Sequence, residues 1–220
     1  MRVLAVDTSS PRGSLAIVGP EGVLAEARVV TAEGHSRWLL PAVSALLQGL
    51  ALDARAIDVF AVTTGPGSFT GLRVGLGSVQ GLAMASGRPC VGLSTLDVLA
   101  ASASGSSGMI VALIDAFRGE VFAGVYDAAG RLRGERTLGR LADLLGRVPA
   151  GSAFVGDVAL AQRESIRDAV PGATFPGWAR FLAPALAAAA LPLAASGSTA
   201  DAADLRPLYL RAADIRPSRA

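Results

Sequence analysis

A short pattern occurs twice in this 220-residue chain. Leu4-Ala5-Val6-Asp7 and Ala112-Leu113-Ile114-Asp115 each run an apolar strand into an aspartate. Each aspartate leads to a turn containing Arg-Gly (Arg12-Gly13, Arg118-Gly119) and then to a second apolar run (Ser14 to Val18, Glu120 to Tyr126). A later glycine, Gly22 or Gly130, opens a third strand in both copies. The spacing from Asp to Gly drifts by two residues between copies, as a change of turn length gives. A strand–hairpin–strand unit must bury its sheet under helices, so two copies predict two related α/β lobes. Residues 1–104 make the first lobe, and 105–220 a second, reduced one. The Ser- and Gly-rich stretch from Ser102 to Gly108 joins them, and the tail from Asp204 to Arg211 is expected to dock on the first lobe.

The periodicity fills in the elements. Strands are expected at Val3–Asp7, Ser14–Val18, Val23–Val29, Ile57–Val62 and Cys90–Leu93. Helices are expected at Ser36–Leu50 and Thr70–Ser86, with a further one entered by Ser94 and Asp97 as a capping pair. His35 and Ser36 stand where an N-terminal cap would be. In the second half, helical patterns are shorter (Gly139–Leu145, Leu160–Ala169) until an alanine-rich segment at Ala179–Ala195.

Composition narrows the chemistry. The chain is 51% hydrophobic and 17% charged, a globular balance. All 20 basic residues are arginine, scattered along the chain, so no lysine serves as phosphate ligand, Schiff base or general base. The densest basic stretch, Arg131, Arg133, Arg136 and Arg140, is interrupted by Glu135 and alternates as a solvated hairpin face would. The net charge of +2 gives direct nucleic-acid binding little support. The single cysteine, Cys90, excludes an internal disulfide and fits a reducing cytoplasm. The apolar stretch from Phe181 to Ser196 falls short of the about 20 residues that a membrane span needs.

Residues 63 to 73, Thr-Thr-Gly-Pro-Gly-Ser-Phe-Thr-Gly-Leu-Arg, form a strand end, a glycine turn and a helix start. Such a turn suits a phosphate, since glycine admits close approach and helix N-termini attract anions. It equally suits a well-capped entry into a helix. Asp7 and Asp115 at strand ends can hold Mg²⁺ beside a nucleotide or cap their own turns. His35 is the only histidine, so no zinc-binding pair exists, and no Gly-x-Ser-x-Gly elbow supports a hydrolase. No catalytic or metal-binding residue is assigned.

The two helices of the first half carry more apolar or small surface than one sheet consumes. Leu39, Leu40, Val43, Leu46, Leu47 and Leu50 make an apolar face that Trp38 and Ala42 extend. Gly71, Gly75, Gly77, Ser78, Gly81 and Ala85 form one broad small-residue face on the next helix. Interior glycines cost about 0.8–1 kcal/mol each relative to alanine. Close packing offsets that cost, either on the helix's own sheet or against a helix of another chain.

Several matches in order carry a family resemblance: Leu4-Ala5-Val6-Asp7-Thr8-Ser9, His35-Ser36 with Leu39-Leu40-Pro41, and Gly65-Pro66-Gly67-Ser68-Phe69-Thr70-Gly71-Leu72-Arg73. Gly81-Leu82-Ala83, Ser94-Thr95-Leu96 and Asp115-Ala116 with Arg118-Gly119-Glu120-Val121-Phe122 continue it. The chain resembles the TsaB (YeaZ) family of tRNA threonylcarbamoyladenosine biosynthesis. The resemblance implies duplicated lobes like those of actin, Hsp70 and sugar kinases, a ribonuclease H-like fold with the second lobe reduced. It implies a non-catalytic subunit that pairs with a TsaD-like catalytic subunit and a TsaE-like ATPase, forms a homodimer when alone, and meets tRNA through the complex. That complex moves threonylcarbamoyl from its adenylate onto N6 of the adenosine beside the anticodon.

The family uses first-lobe helices for its contacts, which here are His35, Trp38, Leu39, Val43, Leu46, Gly71, Arg73, Val74, Gly75, Ser78, Gly81 and Ala85. Asp7, Thr8, Gly65, Gly67 and Ser68 are the nucleotide-proximal positions. No cofactor is expected on this chain alone, and ATP with Mg²⁺ stays open at the partner interface. A rival reading is a nucleotide-dependent phosphotransferase using Asp7 and the Gly65–Gly67 turn. Phe117 departs from the family, which more often has a basic residue there. The older peptidase label of the superfamily has no support in these residues.

Overall fold

The computed structural model describes residues 1–103 and 108–210. The expected boundary between 104 and 105, part of the Ser/Gly-rich connection and Arg211 lie outside the described residues. The first sheet is built from β1 (Val3–Asp7), β2 (Arg12–Gly19), β3 (Gly22–Val30), β4 (Val59–Gly65) and β5 (Cys90–Ser94), in the order β3-β2-β1-β4-β5. Its helices are α1 (Leu39–Gly49), α2 (Phe69–Ser86) and α3 (Thr95–Ala101). The second sheet is built from β6 (Ile110–Asp115), β7 (Glu120–Tyr126), β8 (Thr137–Arg140) and β9 (Ala153–Val155), in the order β8-β7-β6-β9. Its flanking helices are α4 (Leu141–Leu145), α5 (Asp157–Ala161) and α6 (Arg163–Ala169), and α7 (Ala183–Ala195) follows.

The two sheets repeat one topology. In each, the first strand pairs antiparallel with the second and parallel with the fourth (β1 with β4, β6 with β9). No strand equivalent to β5 extends the second sheet among the described residues. This is the duplicated α/β, ribonuclease H-like architecture with a reduced second copy.

Strand β1 is central and buried on both sides, so its run Val-Leu-Ala-Val-Asp does not alternate. Leu4 and Val6 face Leu39, Val43 and Leu47 of α1 and Leu76, Val79 and Ala83 of α2 in one core. Val3 and Ala5 face the opposite way, into a core shared with α3, α7 and the second sheet. Helix α7 comes from the second half of the chain yet lies against β1 and β2. Its Ala183 N–H donates to Ser14 Oγ at 3.0 Å. The lobes are therefore joined by one continuous apolar layer.

Helix α2 is closed at both ends by its sequence. Ser68 Oγ accepts from Gly71 N–H at 3.2 Å. Gly87 takes the left-handed conformation at φ 63°, and Arg88 N–H returns to Ala83 O at 3.0 Å. No helix among the described residues is long and apolar enough to cross a membrane.

Four local expectations need correction. The third strand of the second copy begins at Thr137, well after Gly130. One bridge, Tyr126 with Leu132, forms first, and the chain then turns at Gly134 (φ 82°) before pairing resumes. The Leu160–Ala169 pattern is divided at Gln162 between α5 and α6. Ser94 stands at the N-cap of α3, but its side chain makes no cap hydrogen bond, and the Asp97 carboxylate bonds Tyr126 and Arg136 instead of completing the capping pair. His35 and Ser36 do not cap α1 either; its N-cap is Trp38, and both nitrogens of His35 are committed elsewhere.

Candidate functional site

The ends of β1 and β4 meet the start of α2 at a knot of hydroxyls and glycines. Asp7 is buried, and its Oδ1 accepts from Ser9 N–H (3.1 Å), Ser9 Oγ (2.7 Å) and Thr63 Oγ1 (2.8 Å). Burial pushes its carboxyl above the ordinary range, and those hydrogen bonds pull partly back. Thr8 Oγ1 donates to Gly71 O at 2.8 Å, and Ser68 N–H donates to Ser9 O at 2.7 Å. The glycines serve this contact. A Cβ would stand 2.3 Å from Ser9 O at Gly67, 2.1 Å from Thr8 O at Gly71 and 2.3 Å from Thr8 Oγ1 at Gly75. At Gly65 it would meet Leu208 O at 2.9 Å. The glycines admit the protein's own backbone, and the amides of Ser68 and Gly71 that a phosphate would need are spent.

His35 locks the far side of the knot. It is buried, its Nε2–H donates to Ser10 O at 2.8 Å, and its Nδ1 accepts from Trp38 Nε1–H at 2.9 Å. A Cβ at Gly13 would strike both rings, with Trp38 Cζ2 at 2.4 Å and His35 Nδ1 at 2.7 Å.

A cleft of about 320 Å³ separates the two aspartate turns. Asp7, Thr95, Asp115, Trp178 and Arg180 line it, and an ion pair between Arg12 and Asp157 crosses it. Asp115 Oδ1 accepts from Phe117 N–H at 2.8 Å, an Asx turn. The hydroxyls of Ser94 and Thr95 are buried without a hydrogen-bond partner among the described residues. Among the described residues no group of three or more His, Cys, Asp or Glu could hold a metal ion. The donor set does not fit a Mg²⁺–nucleotide: one aspartate is buried under three donors and the other closes its own turn. Cys90 is buried at the β4–β5 pairing, and its thiol is pushed up to about 11, an unreactive form.

The expected interface residues divide into two groups. His35, Leu39, Val43, Gly71 and Gly75 are buried within the chain and offer almost no surface to a partner. The single small-residue face of α2 is in fact two: Gly71 and Gly75 face the sheet, while Gly77 and Gly81 face open space with nothing within 4 Å of a Cβ. Arg73, Gly81 and Ala85 are exposed, and Trp38, Leu46, Val74 and Ser78 are half-buried. Met84 on α2 and Leu40 on α1 add exposed apolar side chains, at 68% and 51%.

Sequence reasoning missed one polar cluster. Asp97 of α3 accepts from Tyr126 Oη at 2.7 Å and from Arg136 Nη2 at 2.7 and 2.6 Å. Arg136, placed by its spacing on a solvated face, is drawn inward by that carboxylate. Its neighbours Arg131 and Arg133 pair with Asp127 instead. No local signal links residues so far apart in the chain.

The two duplicated lobes and the cleft between them make a two-lobed protein of actin-like, ribonuclease H-like fold. At the level of fold alone, a hexokinase from Thermus thermophilus shares it (14% identity, TM-score 0.55, 89% of this chain and 100% of that one). The family model described as TsaD, tRNA N6-adenosine threonylcarbamoyltransferase, matches residues 22–195. TsaB of Escherichia coli is 38% identical over 141 residues, 62% of this chain, and the chain spans 61% of that protein's length. An uncharacterised protein of Mycobacterium tuberculosis is 33% identical over 217 residues, covering 98% of this chain and 94% of its own. The structure of YeaZ from Pseudomonas aeruginosa superposes with a TM-score of 0.80 at 30% identity, covering 95% of this chain and 99% of that one. The chain belongs to the TsaB (YeaZ) family.

Proposed function

We propose that this chain is the assembly subunit of the cytoplasmic machinery that makes threonylcarbamoyladenosine in tRNA. In this reading it pairs with a TsaD-like catalytic subunit and recruits a TsaE-like ATPase. It self-associates when alone and meets tRNA through the complex. It binds no cofactor by itself, and the shared interface with the partner is the place left open for ATP with Mg²⁺. The observation that carries the reading is the outward face of α2. Gly77, Gly81 and Ala85 leave a shallow track beside exposed Met84, and a partner helix can approach such a track closely. The names of the TsaB relatives supply the reaction to which this assembly role is attached.

Size-exclusion chromatography with light scattering, on the chain alone and mixed with a TsaD-like subunit, tests it. Gly81→Leu fills the track without touching the core, so it should abolish co-elution while the melting temperature holds. Unchanged co-elution would remove α2 from the interface. Calorimetry with Mg·ATP addresses the phosphotransferase rival. Micromolar binding with turnover by the isolated chain would overturn the assembly role.

A further inference from the structure

Asp7 spends only one of its two carboxylate oxygens. Ser9 N–H, Ser9 Oγ and Thr63 Oγ1 all donate to Oδ1. No donor among the described residues reaches Oδ2, although the residue is only 1% exposed. A buried carboxylate oxygen left without a donor is costly, and it calls for a partner that the chain does not supply. Asp7 stands in the wall of the cleft of about 320 Å³ between the lobes, so with Oδ1 taken, Oδ2 is the atom it offers there. Thr95, 3% exposed, stands in the same wall, and its hydroxyl also lacks a partner among the described residues. Two buried polar side chains thus border one cavity, each with an atom to spare.

The rest of the wall narrows the occupant. Leu99, Leu113, Leu182 and Trp178 make it largely apolar. Its volume lies at the small end of ligand sites, which run from about 300 to 1,000 Å³. Charge selects a cation. Three carboxylates (Asp7, Asp115, Asp157) and two guanidiniums (Arg12, Arg180) line the cleft. Arg12 and Asp157 pair with each other, which leaves Asp7 and Asp115 against Arg180 alone. Arg180 itself lies 5.9 Å from the centroid of the Trp178 ring. A divalent ion needs a cage of several oxygens, and no such cluster of ligands exists among the described residues. An ammonium needs fewer: one carboxylate and one hydroxyl accept its N–H groups, and its carbon body keeps to the leucines. Burial holds the Asp7 carboxyl above its ordinary range despite its hydrogen bonds, a cost that a cation against Oδ2 offsets.

We propose that the cleft between the lobes binds a small primary amine with an apolar body, its ammonium held by Asp7 Oδ2 and its carbon frame against Leu99, Leu113 and Trp178. The site goes beyond the assembly role above and stands apart from it, since that role uses the outward face of α2. Calorimetry of the full chain with benzylamine, and with benzyl alcohol as its uncharged counterpart, tests it. The amine should bind at least about tenfold more tightly than the alcohol, the worth of one charged hydrogen bond. Asp7→Asn keeps an oxygen for the three donors and puts an NH₂ group where Oδ2 stood. It should therefore fold, as its melting temperature checks, and lose the preference for the amine. Trp178→Leu should weaken amine and alcohol alike, because it trims the wall that both share. Equal binding of the two compounds by the parent chain would overturn the proposal. So would an amine affinity unchanged in Asp7→Asn or in Trp178→Leu, or no amine binding at millimolar concentration. Displacement of benzylamine by Mg·ATP would overturn it in favour of a nucleotide.

Discussion

The two aspartate turns began as copies and now do different work. Asp7 ends a central strand and is buried beneath three donors, while Asp115 ends its counterpart exposed and closes only its own turn. The difference comes from what lies above each strand end. Over the first, an 18-residue helix arrives on glycines close enough to touch Thr8. Over the second, α5 is five residues long, and the turn stays open, with Phe117 at its tip. A long, well-capped helix turned one copy into a rigid platform, and the shortened helix left the other as a surface.

The largest test of this contrast lies within α2. Gly71→Ala drives a methyl group into the Thr8 carbonyl and should cost about 1–3 kcal/mol by urea denaturation. Gly77→Ala, on the same helix facing solvent, should gain about 0.5–1 kcal/mol. Equal effects at both positions would mean that the inward and outward faces are not distinct. Gly75→Leu belongs with the first of these and would damage the fold itself, so it cannot serve as an interface probe.

Next is the bond between lobes. Arg136→Leu leaves the partly buried Asp97 with Tyr126 alone and should cost about 1–3 kcal/mol. Tyr126→Phe should cost about 1 kcal/mol. A thermal transition that splits in two would show that this cluster, more than the α3–α7 layer, keeps the lobes cooperative.

The smallest effect concerns protons. Because burial raises the Asp7 carboxyl above its unfolded value, the folded chain binds more protons than the unfolded chain over the window that starts near the ordinary carboxylate value of about 4. Stability therefore falls as pH rises through that window, and below it the group contributes no slope. Asp7→Asn should flatten the profile and gain relative to the parent chain as pH increases. A profile that keeps its slope in Asp7→Asn would show that the buried carboxyl is not its source.

Much of this was legible in the chain. The strand and helix order followed from apolar runs and turn glycines, and the repeat of Asp7 and Asp115 gave the duplicated topology, because such signals are local. The sites were less legible, because burial depends on what packs from afar. The 100°-per-residue wheel put Gly71, Gly75, Gly77 and Gly81 on one broad face, yet the sheet covers only the first two. His35 read as a helix cap, and only the folded chain brought the Ser10 carbonyl and the Trp38 ring to its two nitrogens.

Sequence by itself determined the two α/β units, the lack of lysine and histidine-pair chemistry, and the Gly-Pro-Gly-Ser-Phe-Thr-Gly turn as the most constrained point of the chain. Tertiary structure decided what that turn is for. Its glycines admit the Ser9 and Thr8 oxygens of the neighbouring strand end, at distances no side chain permits. Hydrogen bonds within the chain then saturate amides that the motif alone would have offered to a phosphate. Contacts of that kind join residues some sixty positions apart, as Thr8 and Gly71 do (|i−j| = 63), and no periodicity in the sequence encodes them.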